Sequence, residues 1–126
     1  MIAHGIFSWL FGPQIMGLIL LIIGVILHYF PPKKINNWYG YRTPASQQNQ
    51  QTWDEANRYS AIYMMKCGLV VLVAGLLLTL IMNMVTVPFK IREAITVFAF
   101  LISGMLPAVL MIVTTEKHLT KTFGNP

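Results

Sequence analysis

The sequence predicts an all-α fold: an integral membrane bundle of three helices with a long interfacial loop between the first and second spans. Three observations predict it. Of 126 residues, 56% are hydrophobic and only 10% are charged, against about 25% charged in a soluble domain. The apolar residues gather into three runs, each near the roughly 20 residues that cross a bilayer core. One polar stretch, residues 31–61, separates the first two runs. The chain reads as a single membrane domain, 1–126. The residues outside the runs are too few for a nucleotide-binding or separate catalytic domain.

The first run covers residues 9–30, interrupted between Ile15 and Leu27 only by Gly17 and Gly24. No Lys or Arg precedes it and no small-residue cleavage site follows, so it reads as a retained span rather than a signal peptide. Pro31-Pro32 ends it, because proline lacks an N–H and disfavours helix in the residue before it. Gly12-Pro13 predicts a break near its start. Residues 1–12 are expected to form a short interfacial segment rather than helix, anchored by Phe7, Trp9 and Phe11.

The second run covers residues 62–87. Lys66 sits near its start, where a long side chain snorkels to the headgroups. The third covers residues 94–113 and carries no charge. Pro107 should bend it, or sit where neighbouring helices satisfy the freed carbonyl. A tight connection, 86–93, joins these two runs, and the polar tail 114–126 is expected to fray. Gly17 and Gly24 are seven apart, as are Gly68 and Gly75, and Gly104 pairs with Ala108. Such spacing lets helix backbones approach, although glycine is also simply frequent in membrane helices.

The net charge of +5 would raise nucleic acid as a partner for a soluble protein. Here no nucleic-acid-reading motif accompanies it, and the charge reads as orientation. Lys33, Lys34, Arg42, Arg58, Lys66, Lys117 and Lys121 fall on one side, and Lys90 and Arg92 on the other. The excess places the long loop and the C-terminus in the cytoplasm and the N-terminus outside.

The loop carries most of the information. It holds five of the chain's eight Trp and Tyr residues: Trp38, Tyr39, Tyr41, Trp53 and Tyr59. Thr43-Pro44 is a good helix start, so a helix is expected from near Pro44 or Gln51 into the second span. On it Trp53, Asn57, Ser60 and Met64 share a face, and Asp54 and Arg58 are spaced to pair. Gly40, between two tyrosines, suits a turn or a close backbone approach. One reading is a compact interfacial cap. Arg42 would offer a fork of donors to a phosphate, a carboxylate or a helix end. Trp38, Tyr39 and Tyr41 would stack or anchor, and Trp53 and Asn57 would close the site. The other reading is structural: aromatics are common at membrane interfaces, and Arg42 ties the loop to helix ends or lipid.

The segment Trp38-Tyr39-Gly40-Tyr41-Arg42-Thr43-Pro44, with Trp53 and then Asn57-Arg58, closely resembles the signature of the SdpI family. The resemblance extends to one span before and two spans after the motif, about residues 15–115. It implies a bacterial cytoplasmic-membrane protein in a toxin-immunity or membrane-stress setting. The family's namesake gives immunity to a secreted, membrane-active killing peptide and recruits a repressor to the membrane. Two departures stand out. The namesake has further N-terminal membrane segments, and many relatives carry His where this chain has Asn57. Hydrogen bonding survives that change, whereas proton transfer does not.

Little points to catalysis. His4, His28 and His118 lie at three separate segment ends, with no metal-ligand spacing. Cys67, the one cysteine, opens a hydrophobic run and reads as a packed residue. Asp54 and Glu55 are adjacent, so on a helix they face apart. No span carries a charge at its middle, which argues against a proton-coupled pump. The expected function is non-enzymatic, without cofactor or metal: resistance to a membrane-active peptide toxin bound through Trp38, Tyr39, Gly40, Tyr41, Arg42, Thr43, Pro44, Trp53, Asn57 and Arg58. Two alternatives stand beside it. The same loop would bind a lipid headgroup or small anionic ligand, making the chain a carrier or a membrane enzyme subunit, or the chain would be a structural helper forming a homo-oligomer through Gly17, Gly24, Gly68 and Gly75.

Overall fold

A computed structural model describes residues 2–125, with side chains from residue 6 onward. His4 therefore lies outside the described side chains. Four helices follow in order: α1 (Ile2–Leu10), α2 (Pro13–Tyr29), α3 (Gln50–Met84) and α4 (Phe89–Phe123). The described residues contain no strand. Three stretches are long and apolar enough to cross a membrane: Ile6–Tyr29, Gln50–Met84 and Phe89–Phe123. The expected three-span, all-α frame is present.

The first departure is α1, which is helical where an irregular segment was expected. The break at Gly12-Pro13 is real, and its chemistry explains why it is tolerated. Pro13 has no N–H to offer Trp9 O, the carbonyl one turn back. The Gln14 side chain does so instead: its Nε2 donates to Trp9 O at 2.6 Å and to Ser8 O at 3.0 Å. Its Oε1 accepts the Thr79 hydroxyl at 3.2 Å. One buried amide thus satisfies the free end of α1 and ties the kink to α3.

α2 packs most extensively along α3, and α4 lies against both. Glycine makes the first contact possible. A Cβ on Gly17 would lie 2.8 Å from Gly68 O and 2.6 Å from Leu72 Cα. A Cβ on Gly68 would lie 2.9 Å from Leu21 Cα. Gly24 and Gly75 also face the partner helix or the α2 start. All four are buried inside the chain, so their close-packing surface is already occupied by this protein's own helices.

α3 starts inside the polar loop and runs unbroken into the span. Asn49 caps it: its side chain accepts Thr52 N–H at 3.0 Å, and Thr52 Oγ1 accepts Asn49 N–H at 3.2 Å. This reciprocal box satisfies two otherwise free donors. Thr43-Pro44, the other expected start, instead opens a single turn in which Ser46 Oγ accepts Thr43 N–H at 2.8 Å.

α4 is longer than expected at both ends. It begins at Phe89, which shortens the connection to residues 85–88, and it holds Pro107 buried within it. The tail does not fray before Phe123. No Gly or Pro interrupts residues 108–123, and Thr115 and Leu119 are buried. Leu119 packs with Tyr41 and Ala56, with Ala45 and Met111 beside them. That contact is what orders the tail.

The packed core sits at the loop end. Tyr41, Trp53, Ala56, Ala61 and Leu119 are the buried hydrophobic residues, whereas most large apolar side chains of the spans face outward. Outward apolar faces suit lipid, where burial against protein supplies little hydrophobic gain.

Candidate functional site

The motif segment folds over the end of the bundle, and two polar anchors hold it there. The first is Trp53, which is fully buried and donates its indole N–H to Pro32 O at 2.7 Å. One turn on, Asn57 Oδ1 accepts Tyr41 N–H at 2.7 Å, while its Nδ2 donates to Trp53 O at 2.9 Å. Gly40 lies directly over this amide with φ +100°, and a Cβ there would come within 2.5 Å of Asn57 Oδ1. Both the backbone sign and the close approach require glycine.

The second anchor is Glu116 of α4. Its Oε1 accepts the Tyr41 hydroxyl at 2.6 Å and the Thr43 hydroxyl at 2.7 Å. Burial, and then the neighbouring Glu116 carboxylate, push the Tyr41 phenol well above its ordinary value of 10.0. Ser46, also fully buried, accepts Thr43 N–H and lies 3.2 Å from Tyr41 O. Tyr41 and Thr43 therefore point inward and lock the loop to α3 and α4.

Between them Arg42 points outward. It is exposed, and one guanidinium nitrogen donates to Asn37 O. Asn36 shapes the preceding turn by accepting Trp38 N–H at 2.8 Å and Tyr39 N–H at 2.9 Å. Trp38 itself is 88% exposed. Pro44 and Arg58 are exposed as well. The ten residues singled out from the sequence thus divide. Gly40, Tyr41, Thr43, Trp53 and Asn57 build the loop's attachment, and Trp38, Tyr39, Pro44, Arg42 and Arg58 form its outer surface.

Arg58 does not pair with Asp54. It forms a two-pronged ion pair with Glu55, at 2.6 and 2.9 Å. Asp54 is engaged instead by Gln50 Nε2 at 2.7 Å, one turn back. His118 Nε2 reaches the same Glu55 at 2.7 Å and stacks flat on Tyr59, centroids 4.1 Å apart. Hydrogen bonding from Arg58, reinforced by His118, holds the Glu55 carboxyl down at about 2.

Beside the loop lies a cleft of about 480 Å³. One wall is residues 39–43. The other is apolar and comes from all three spans: Ile23 and Leu27, Met64, and Met111 and Ile112, with Ser60 as a polar point. This volume is within the usual range for ligand sites, about 300–1,000 Å³. An apolar floor with Arg42 at its polar wall suits an amphipathic occupant. Among the described residues no group of His, Cys, Asp and Glu could hold a metal ion.

Sequence reasoning missed Glu116, Glu55, His118 and Ser46. Glu116 and His118 fell in the stretch read as a frayed tail. A signal was present: Met111, Thr115 and Leu119 repeat at helical spacing past the end of the apolar run, with no breaker before Gly124.

Comparison with known proteins covers the same segment. The model of the SdpI/YfhL protein family matches residues 33–115, from the start of the loop to the loop end of α4. The uncharacterized protein YfhL of Bacillus subtilis (strain 168) is 52% identical over 62 residues, which is 49% of this chain and 56% of that protein. The match thus spans little more than half of this curated relative's length. No solved structure matches the chain.

Proposed function

The chain belongs to the SdpI/YfhL protein family, and from that premise we propose that it protects a bacterial membrane against a membrane-active peptide. It acts as a binder, not an enzyme. The loop and C-terminus lie on the cytoplasmic side, where the Lys and Arg excess favours them. The peptide's apolar side chains enter the cleft between residues 39–43 and the three spans, and Arg42 meets a carboxylate or carbonyl on it.

The observation that carries this reading is the cleft itself. The family's motif segment supplies its polar wall, and every span contributes to its apolar floor. Tyr41 and Thr43 fix that wall through Glu116, so the site is formed before the peptide arrives. A pre-formed site loses less ordering entropy on binding.

Survival of a sensitive bacterium tests the reading. Cells expressing the protein are challenged with a panel of membrane-active killing peptides, beside cells expressing Arg42→Ala and Ile112→Trp at equal membrane levels. Both residues line the cleft and are exposed, and circular dichroism checks that each variant is folded. Protection by the wild type, lost in both variants, supports the reading. Protection retained with the cleft filled by tryptophan contradicts it.

A further inference from the structure

Lys66 lies within the hydropathic length of α3 and is exposed on its surface. No carboxylate of the described residues pairs with it. Glu55 is engaged by Arg58 and His118, Glu116 by Tyr41 and Thr43, and Asp54 by Gln50. Glu93 sits in the second turn of α4, near the opposite end of the bundle. An ammonium group at the edge of the hydrocarbon needs a counter-charge or a path to the headgroups.

Lys66 also lines a groove. With Arg58, Tyr59, Ile62, Tyr63 and His118 it encloses about 300 Å³ between α3 and the end of α4. Arg58 and Lys66 mark its two ends, about 12 Å apart along the helix axis. Tyr59, held by its stack on His118, and Ile62 and Tyr63 lie between them. The groove therefore starts at the polar loop end and descends into the apolar run, with a cation at each level.

We propose that this groove binds the headgroup of an anionic phospholipid, with its phosphate at the polar end beside Arg58, the Lys66 side chain reaching up towards it, and its glycerol and first methylenes below it along Ile62 and Tyr63. The charges select the class. Arg58 and Glu55 offset each other, which leaves Lys66 uncompensated. Phosphatidylcholine would bring a quaternary ammonium towards these cations, whereas phosphatidylglycerol brings no cationic group. The apolar wall favours a lipid over free phosphate, because methylenes along it leave water. The groove shares no residue with the cleft beside the loop, so this proposal stands or falls apart from the proposed function.

Lipid retention tests it. The protein is placed in nanodiscs of equal phosphatidylglycerol and phosphatidylcholine, released gently, and weighed with its adducts by native mass spectrometry. Wild type is expected to retain phosphatidylglycerol preferentially. Lys66→Gln is expected to lower that retention about fivefold, the factor corresponding to about 1 kcal/mol for one basic residue near the membrane surface. Lys34→Gln, an exposed residue outside the groove, is expected to leave it unchanged. Circular dichroism establishes that both variants are folded. Millimolar inorganic phosphate is expected to displace nothing. Equal retention of the two lipids by wild type overturns the proposal without any variant. So does equal loss in Lys66→Gln and Lys34→Gln, unchanged retention in Lys66→Gln, or displacement by inorganic phosphate.

Discussion

Tyr41 in the loop donates its hydroxyl to Glu116 near the end of α4, at 2.6 Å and across 75 residues of sequence. Thr43 donates to the same oxygen. This joint fixes where the motif segment sits and therefore fixes one wall of the cleft.

Removing the joint should loosen the loop. A hydrogen bond to a charged group contributes about 1.5–3 kcal/mol. Tyr41→Phe is expected to lower stability by about 2 kcal/mol. Glu116→Ala should cost more, because it removes the acceptor of the Thr43 hydroxyl and leaves the Tyr41 hydroxyl only its longer contact to Ile112 O at 3.3 Å. Glu116→Gln keeps an acceptor and should fall between wild type and Glu116→Ala. Unfolding in mild detergent, followed by circular dichroism, checks the order.

Gly40 and Asn57 act together. Gly40→Ala places a methyl group against Asn57 Oδ1 at φ +100°, a backbone region that costs other residues about 1–2 kcal/mol. Asn57→Ala strands the buried Tyr41 N–H, at about 1–3 kcal/mol. Each variant should speed tryptic cleavage in the loop, and the double variant should fall short of the sum, because both act on one contact. Full additivity would show that the two residues act separately.

Glycine matters where two backbones meet and not elsewhere. Gly17→Ala drives a Cβ into the Leu72 and Gly68 backbone and is expected to cost about 1–3 kcal/mol. At Gly104 the added atom meets only the terminal methyl of Met16, which can swing away. Gly104→Ala should change stability by less than about 0.5 kcal/mol. Comparing unfolding midpoints of the two variants separates the positions.

Acid should weaken the α3–α4 contact at Glu55. Its folded carboxyl titrates at about 2, below the ordinary 4.5. A depressed value means the unfolded state binds protons first as pH falls. The contribution is therefore complete above about 4.5 and lost between there and about 2. Glu55 is partly solvent-exposed, so salt should shrink the effect. Stability measured across this window should fall less steeply in Glu55→Gln than in wild type.

The three spans were legible because mostly apolar runs of about twenty residues or more admit few other structures. The loop's landmarks were legible too: Gly40 in a turn, and Trp53, Asn57 and Ser60 on one buried face. What the sequence did not reveal was pairing at a distance. Arg58 had Asp54 and Glu55 within reach, and the choice fell to Glu55 because Gln50 holds Asp54 and His118 reaches across from α4. Glu116 looked like an unremarkable charge in a polar tail. Its role depends on α4 continuing to Phe123, and that depends on Leu119 packing against Tyr41 and Ala56. A contact between residues so distant in the chain leaves no local pattern to read.

Photocrosslinking tests the central claim most directly. A photoreactive amino acid is placed at Ile112 on the cleft floor, and in a second protein at Leu77, an outward-facing position of α3 outside the cleft. Each is irradiated in membranes with a killing peptide against which the wild type protects. The account predicts peptide adducts from position 112 and none above background from position 77. Lipid adducts alone at position 112, or equal peptide capture at both positions, would contradict it.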